Sequence, residues 1–558
     1  MPIHSGLLRL ETSFRALALA ATLALSMGPI SSYAQEEIGL VVGITVDQMR
    51  ADYLTRYAHG YGTGGFVRMQ HEGFSAGDHH FGYAPTYTGP GHASIATGTT
   101  PAVHGIIGND WFERSSGTRI YCTSDSTVQP VAMDPPSSGV APGRAGQMSP
   151  HRMQSTTWAD ELKLHHGGRS KVIGMSMKDR GAIMPAGHSA DAAYWFVGGD
   201  FISSTHYMDT LPGWVAEFNR SDAAEDYIAQ GWDLLAPAEE YSGSTEDLTP
   251  YEGVFKGRIR PTFPYDLTAL ADQNSGLDIL KATPHGNSLL VDFALQAIEN
   301  EELGRGQNTD VLAISFSSTD YIGHRFGSHA METEDIYRRL DHDLARLFDA
   351  LDREVGAGNW LAFLTADHGG ATVPSMAQAL QMSGGYFNSA PMVAHVDSVL
   401  PGLVRSYDNN QFFLDRSALR AMSAMGHSAE DVSQTIVDIA RQYPEVHAAY
   451  TSAQLQSGQF DGAPGVHAQR GWHPEASGDV SVMLRPGFIS YGRTGTTHGS
   501  AWAYDTHVPL LFLGAGIPHR QTFESTLIRD IAPTLSALLG FPRPSGCTGS
   551  PIGPLLEK

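Results

Sequence analysis

Cysteine is almost absent. Cys122 and Cys547 are the only two in 558 residues, too few for a thiolate metal site or a disulfide-stapled scaffold. Their separation in sequence leaves a disulfide and two free thiols both open. Positive charge is also scarce, 36 Lys and Arg against 59 Asp and Glu for a net charge of −23, which argues against nucleic acid as a specific partner. Extended apolar runs are lacking too. The one that approaches membrane length, Ala16 to about Met27, is too short to span a bilayer. It follows Arg9 and Arg15 and precedes the small-residue site Ser32-Tyr33-Ala34. Residues 1–34 therefore read as a secretory signal peptide cleaved near Ala34, and the protein is expected to be periplasmic or secreted without a membrane anchor. Internal repeats and low-complexity tracts are absent.

What remains, 35–558, has the composition of a large folded domain. Gly39–Val46, Lys171–Met177, Asp310–Phe316, Trp360–Thr365 and Val508–Leu513 are short, continuous apolar runs of the kind that form strands buried on both faces. Between them lie helical patterns at about Ser288–Asn300 and Leu527–Leu539. A third runs from Glu334 to Glu354, where Ile336, Leu340, Leu344, Leu347 and Leu351 make one apolar stripe. Alternating strands and helices predict an α/β fold, a doubly wound, mostly parallel central sheet flanked by helices. Two long segments without this alternation, at about 181–285 and 373–484, read as lid-like insertions. The second holds a helix opened by a capping box, Ser428 with Asp431.

The ends of the strands carry the chemistry. Asp47 follows the first, Asp320 with His324 follow the third, Asp367 with His368 follow the fourth, and His498 lies in a loop before the last. In open α/β sheets ligands bind at the carboxyl ends of strands. Carboxylate and imidazole without thiolate suit Zn²⁺, with Mn²⁺ or Co²⁺ as possible occupants, and this number of ligands would serve two ions. Thr88 stands before Gly89-Pro90-Gly91 and a run of helix formers, at a helix N-terminus where an anion such as phosphate is favoured. Thr86 is a rival nucleophile by position alone, and His507 a rival ligand to His498.

Taken in order, Thr-Val-Asp47-Gln-Met-Arg, Pro-Thr-Tyr-Thr88-Gly-Pro-Gly-His, Gly-Asn109-Asp-Trp, Lys178-Asp-Arg180, Ser-Ser-Thr-Asp320-Tyr-Ile-Gly-His324, Thr-Ala-Asp367-His368-Gly and Thr-Thr-His498-Gly resemble the alkaline phosphatase superfamily, and within it the bacterial phosphatases with a threonine nucleophile and two zinc ions. The resemblance implies one zinc on Asp320, His324 and His498, and another on Asp47, Asp367 and His368 with the Thr88 oxygen. It implies small-molecule phosphate monoesters as substrates, cleaved through a covalent phosphothreonine. It also makes Thr88 the nucleophile rather than Thr86, and His498 the ligand rather than His507. Phosphodiesterases of the nucleotide pyrophosphatase type use the same core. Asn109, Lys178 and Arg180 point to the monoesterase branch, since a monoester dianion carries more charge on its nonbridging oxygens than a diester does. The Cys/Ser-x-Pro-x-Arg motif of sulfatases is missing.

Overall fold

A computed structural model describes residues 38–557, so the expected leader lies outside the described residues. The frame is a ten-stranded sheet. In chain order its strands are β1 Leu40–Val46, β2 Phe74–Ala76, β3 Pro130–Val131, β4 Val172–Ser176, β5 Ala192–Val197, β6 Asp200–Ser204, β7 Asp310–Phe316, β8 Trp360–Thr365, β9 Leu510–Gly514 and β10 Arg520–Thr522. Their spatial order is β10-β2-β9-β8-β1-β7-β4-β5-β6-β3. The five middle strands, β8-β1-β7-β4-β5, run parallel. β9 pairs antiparallel with β8 and with β2, and β6 antiparallel with β5 and with β3. The sheet is thus mixed, with the expected parallel arrangement confined mainly to its middle. All residues of β1, β7 and β8 are buried, which is why they are apolar without alternation.

Of the helices, α1 Thr88–Thr97, α2 Asp179–Ala186, α3 His285–Asn300, α4 Ser318–Phe326 and α5 Met331–Leu351 matter most for the site. The apolar stripe of α5 is fully buried from Ile336 to Leu351.

The segment 181–285 differs from the expectation of an insertion. α2, β5 and β6 lie within or at the start of it, and the two strands extend the central sheet. The hairpin between them turns on Gly198 and Gly199, both at positive φ, 61° and 106°, a conformation glycine adopts without steric cost. The segment 373–484 contains a second, four-stranded antiparallel sheet with strands 404–408, 411–414, 480–484 and 446–451 in that order. Phe412, Ile436, Val437 and Val480 belong to a separate apolar core beneath it, and the capping box at Ser428 and Asp431 opens helix Ala429–Ala440. Cys122 and Cys547 are free thiols. Among the described residues no helix is long and apolar enough to cross a membrane.

Two buried histidines tie the outer elements together. His79 Nδ1 lies 2.8 Å from Thr526 Oγ1, and His104 Nε2 3.0 Å from Ser94 Oγ in α1. Burial pushes both imidazoles down to about 3 from 6.5, with the charge of His473 adding to the effect at His104. Unfolded, each would take up a proton near pH 6.5. Their contribution to stability is therefore complete above that pH and is lost progressively as pH falls toward 3, at up to about 1.4 kcal/mol per pH unit per histidine. Urea unfolding of wild type and His104→Gln between pH 7.5 and 4 should show a shallower decline in the variant by about that amount.

Candidate active site

β7, β1 and β8 are adjacent and in register, with Val46 opposite Phe316 and Thr45 opposite Thr365. Neighbouring strands lie about 4.8 Å apart, so the residues following each strand meet at one end of the sheet. Asp47 leaves β1, Asp320 sits in the first turn of α4 just after β7, and Asp367 and His368 leave β8. His324 lies one turn after Asp320 on α4. All three aspartates are buried.

Each histidine is aimed by a backbone carbonyl. Nδ1 lies 2.7 Å from Thr496 O in His324, 2.9 Å from Gly369 O in His368, and 2.7 Å from Thr86 O in His498. A carbonyl can only accept, so Nδ1 carries a proton, and in His368 and His498, which burial keeps neutral, Nε2 is left with its lone pair, the tautomer that binds a metal; His324 is held more basic by Asp320, to which its Nε2 turns. The Nε2 atoms converge on the carboxylates. His368 Nε2 is 3.4 Å from Asp47 Oδ1 and 3.6 Å from Asp367 Oδ2. His324 and His498 Nε2 are 3.2 and 3.7 Å from Asp320 Oδ1. The rings of His368 and His498 stack with centroids 3.4 Å apart.

Two groups of ligand atoms lie within 4.8 Å of one another: Asp47, Asp367 and His368, and Asp320, His368 and His498. The first is the expected set. In the second, His368 stands where His324 was expected, and His324 is instead held against Asp320 Oδ1. His368 is therefore common to both.

The donor set fits metal ions. Asp47 Oδ1 and Asp367 Oδ2 are buried oxygens with no hydrogen-bond donor. Burial, reinforced by the charge of Asp320, raises the Asp47 carboxyl, and burial with Asp47 raises Asp367 further. At Asp320 burial acts upward but is outweighed by His324 and Lys178, and the group lies well below the usual range. Such a concentration of carboxylates requires cations.

Lys178 supplies one of them. Its Nζ donates to Asp47 Oδ2 at 2.7 Å and Asp320 Oδ2 at 2.6 Å. Burial lowers its basicity, but the two carboxylates more than restore it. Arg180 Nη1 donates to Tyr121 OH at 2.8 Å. Asn109 Oδ1 accepts from the Gly89 N–H at 2.7 Å, which commits the amide oxygen and leaves the NH₂ group to donate.

Thr88 opens α1, and its Oγ1 lies 3.4 Å from His368 Nε2. The rival Thr86 spends its hydroxyl on Ser500 O at 3.0 Å, and its carbonyl orients His498. His507 bonds Gly77 O and stacks on His80, outside both ligand groups.

Three further residues support the site: His92, which the sequence places one helical turn after Thr88 in a structural role, and Gln48 and Tyr121, which were not singled out from sequence. His92 bonds Thr88 O through Nδ1 and Ser315 Oγ through Nε2, fastening α1 to β7. Gln48 N–H donates to Asp367 Oδ1 and its side-chain amide to Asp320 Oδ1. It does so from a left-handed backbone, φ 63°, rare for a residue other than glycine. Tyr121 receives Arg180. Of the two that sequence did not single out, Gln48 carries a signal, its place beside Asp47 at a strand end.

A family model, type I phosphodiesterase / nucleotide pyrophosphatase, matches residues 41–508. The chain belongs to this family. It is 40% identical to a protein of Myroides odoratus named calcium-transporting ATPase, over 96% of this chain and 97% of that one. It is also 40% identical to alkaline phosphatase PafA of Elizabethkingia meningoseptica, over 93% and 94%. The crystal structure of PafA superimposes with a TM-score of 0.88 at 39% identity, covering 93% of this chain and 99% of that one. A structure of a PafA variant with one threonine, one asparagine, one lysine and one arginine replaced superimposes equally well, at 0.88 and 38% identity, with the same coverage.

Because His368 faces Asp47 and Asp367 while His324 closes on Asp320, His368→Ala and His324→Ala should each lower the metal content of the dialysed protein by about one ion per chain, at different positions; elemental analysis per chain, with the double variant alongside, checks this. Gly91 packs α1 onto the ligand loop so closely that an added Cβ would lie 2.2 Å from Asp367 O. Gly91→Ala must displace one or the other, and kcat/KM should fall by about a hundredfold, with a lowered Tm.

Proposed function

We propose that the protein is an exported alkaline phosphatase that hydrolyses small-molecule phosphate monoesters to alcohol and inorganic phosphate at a two-zinc site. The observation that carries this reading is a threonine hydroxyl, Thr88, at a helix N-terminus and 3.4 Å from the imidazole common to both ligand groups. The names of PafA and of its four-residue variant support it, since the variant replaces the same residue types as Thr88, Asn109, Lys178 and Arg180.

Asp47, Asp367 and His368 would hold one zinc, and Asp320, His498 and His324 the other. When bound, the ions supply Lewis acidity toward the threonine hydroxyl, the hydrolytic water and the departing oxygen. Thr88 Oγ1 attacks phosphorus in line with the alcohol oxygen. The P–O bond to the alcohol breaks with its electron pair going to that oxygen, which takes up a proton as the Thr88 hydroxyl gives one up through solvent, and a phosphothreonine forms. Water attacks the same phosphorus and restores Thr88 as phosphate leaves. Asn109 donates through its amide and Arg180 through its guanidinium to nonbridging oxygens, and Lys178 brings a buried positive charge to the centre. His92 and Tyr121 position α1 and Arg180.

The alternative is a phosphodiesterase, the activity in the family's description. A diester presents an esterified oxygen where the monoester has a charged one, so it draws less from these cations. Hydrolysis of p-nitrophenyl phosphate and bis-p-nitrophenyl phosphate separates the two. The monoester should be preferred in kcat/KM. Thr88→Ala should lose at least about a thousandfold, and Lys178→Ala about a hundredfold on the monoester with much less effect on the diester. A diester preference untouched by Lys178→Ala would move the protein to the phosphodiesterase branch.

A further inference from the structure

Against the end of α4 and the first turn of α5, outside both ligand groups, two carboxylates are buried without a cation. Glu332 is fully buried and Glu252 nearly so, and Oε2 of each has no hydrogen-bond partner. The neighbours of Glu332 on α5 are treated differently: Glu334 is paired with Arg338, and Asp335 with Arg339. Glu332 has the Tyr265 hydroxyl, which donates to its Oε1.

The loop carrying Glu252 is laid down by backbone bonds on either side of it. Gly253 N–H donates to Arg325 O at 2.8 Å, and Gly495 N–H donates to Tyr251 O at 2.8 Å. Upstream, Thr245 donates to His329 O through its N–H at 2.8 Å and through its hydroxyl at 3.1 Å. At Gly253 an added Cβ would lie 2.8 Å from Arg325 O, so the loop is pressed onto α4. Glu252 is thereby fixed near Glu332, whose carboxyl feels its charge more than any other. Thr245, Thr249 and Asp247 lie beside Glu252.

Buried carboxylates so close together need compensation. Burial pushes the Glu252 carboxyl up to about 8, with the charge of Asp247 adding to it. Burial and then the charge of Glu252 push Glu332 well above its usual range. No lysine, arginine or histidine is among the groups acting most strongly on either, so protons or a cation must be taken up. Neither Oε2 bonds the other, so no single proton is shared between them. The donors are oxygens alone, carboxylate and hydroxyl, and they sit on a loop. Zinc prefers nitrogen and sulfur ligands in a tetrahedron. Calcium takes about six to eight oxygens in a flexible shell that backbone carbonyls and water can complete.

We propose that Glu252 and Glu332 hold a hard divalent cation, Ca²⁺, at a site separate from the two ligand groups, with Asp247 and the hydroxyls of Thr245 and Thr249 supplying further oxygens around it. The cation clamps the loop 245–253 onto α4 and α5. That loop is bonded to Arg325 and Gly495, the chain neighbours of His324 and Thr496, so the clamp steadies the backbone that aims His324. The site does not depend on which ester the protein hydrolyses.

The test uses the zinc-loaded full chain freed of calcium. Wild type should bind about one Ca²⁺ per chain in equilibrium dialysis, and its Tm should rise by about 3 °C at a hundredfold excess of Ca²⁺ over Kd. Tb³⁺, which takes the oxygen sites of Ca²⁺, should emit on excitation of Tyr265 and Trp232, whose rings lie 5.2 Å apart, and Ca²⁺ should displace it. In Glu252→Gln and Glu332→Gln the bound Ca²⁺, the rise in Tm and the Tb³⁺ emission should all be lost while the zinc content is unchanged. Asp247→Asn, at a half-buried position that leaves the core intact, should weaken Ca²⁺ about fivefold. Absence of Ca²⁺ binding in wild type, or an unaltered Kd in every variant that folds, would overturn the site. So would a Tm that Ca²⁺ leaves unchanged and Glu332→Gln raises, the behaviour of a carboxyl held protonated.

Discussion

Three buried carboxylates, Asp47, Asp320 and Asp367, are forced together because the strands that deliver them are neighbours in one sheet. Left alone, negative charge of this density in a desolvated place would favour protonation or unfolding. The surroundings are arranged to keep the charge usable. Lys178 offsets part of it from between Asp47 and Asp320, Gln48 ties Asp367 to Asp320, His324 closes on Asp320, and the imidazoles of His368 and His498 present lone pairs rather than protons. The remaining unsatisfied oxygens, Asp47 Oδ1 and Asp367 Oδ2, are what a cation would take up.

The orientation of these groups depends on backbone more than on other side chains. Carbonyls of Thr86, Gly369 and Thr496 hold Nδ1 of the three histidines, so the loops bearing them fix how the candidate ligand rings are aimed. The same economy governs α1. All ten of its residues are buried, its first residue is Thr88, and His92 one turn later anchors it to β7. Glycine at position 91 brings the helix against Asp367. Thr88 is thus positioned by a helix that cannot shift without moving Asp367.

The second sheet gives the site its outer wall. It has a core of its own, yet its hairpin tip is bonded to the residue following Asn109, and strand 480–484 lines a cavity beside His498. An element remote in sequence from the motifs at the strand ends thereby comes to lie beside His498.

How much of this was legible beforehand follows from the range of the forces involved. Buried strands announce themselves locally, because a strand covered on both faces must be apolar throughout; β1, β4, β7, β8 and β9 were readable for that reason, as was the stripe of α5. Polar residues stranded at the ends of such runs, Asp47, Asp320, Asp367 and His368, could be read as ligands, and the motif around Thr88 as a helix start. β5 and β6 were missed although Ala192–Val197 is apolar and Gly198-Gly199 is a hairpin signal, because the surrounding Gly- and Pro-rich sequence obscured the alternation. The roles of Gln48, His92, Thr86 and Tyr121, the place of His368 in both ligand groups, and the approach of Asn409 to Asp110 were decided only by tertiary structure. Each depends on contacts between residues distant in the chain, where a hydrogen bond is set by a few tenths of an ångström in packing and leaves no trace in local pattern.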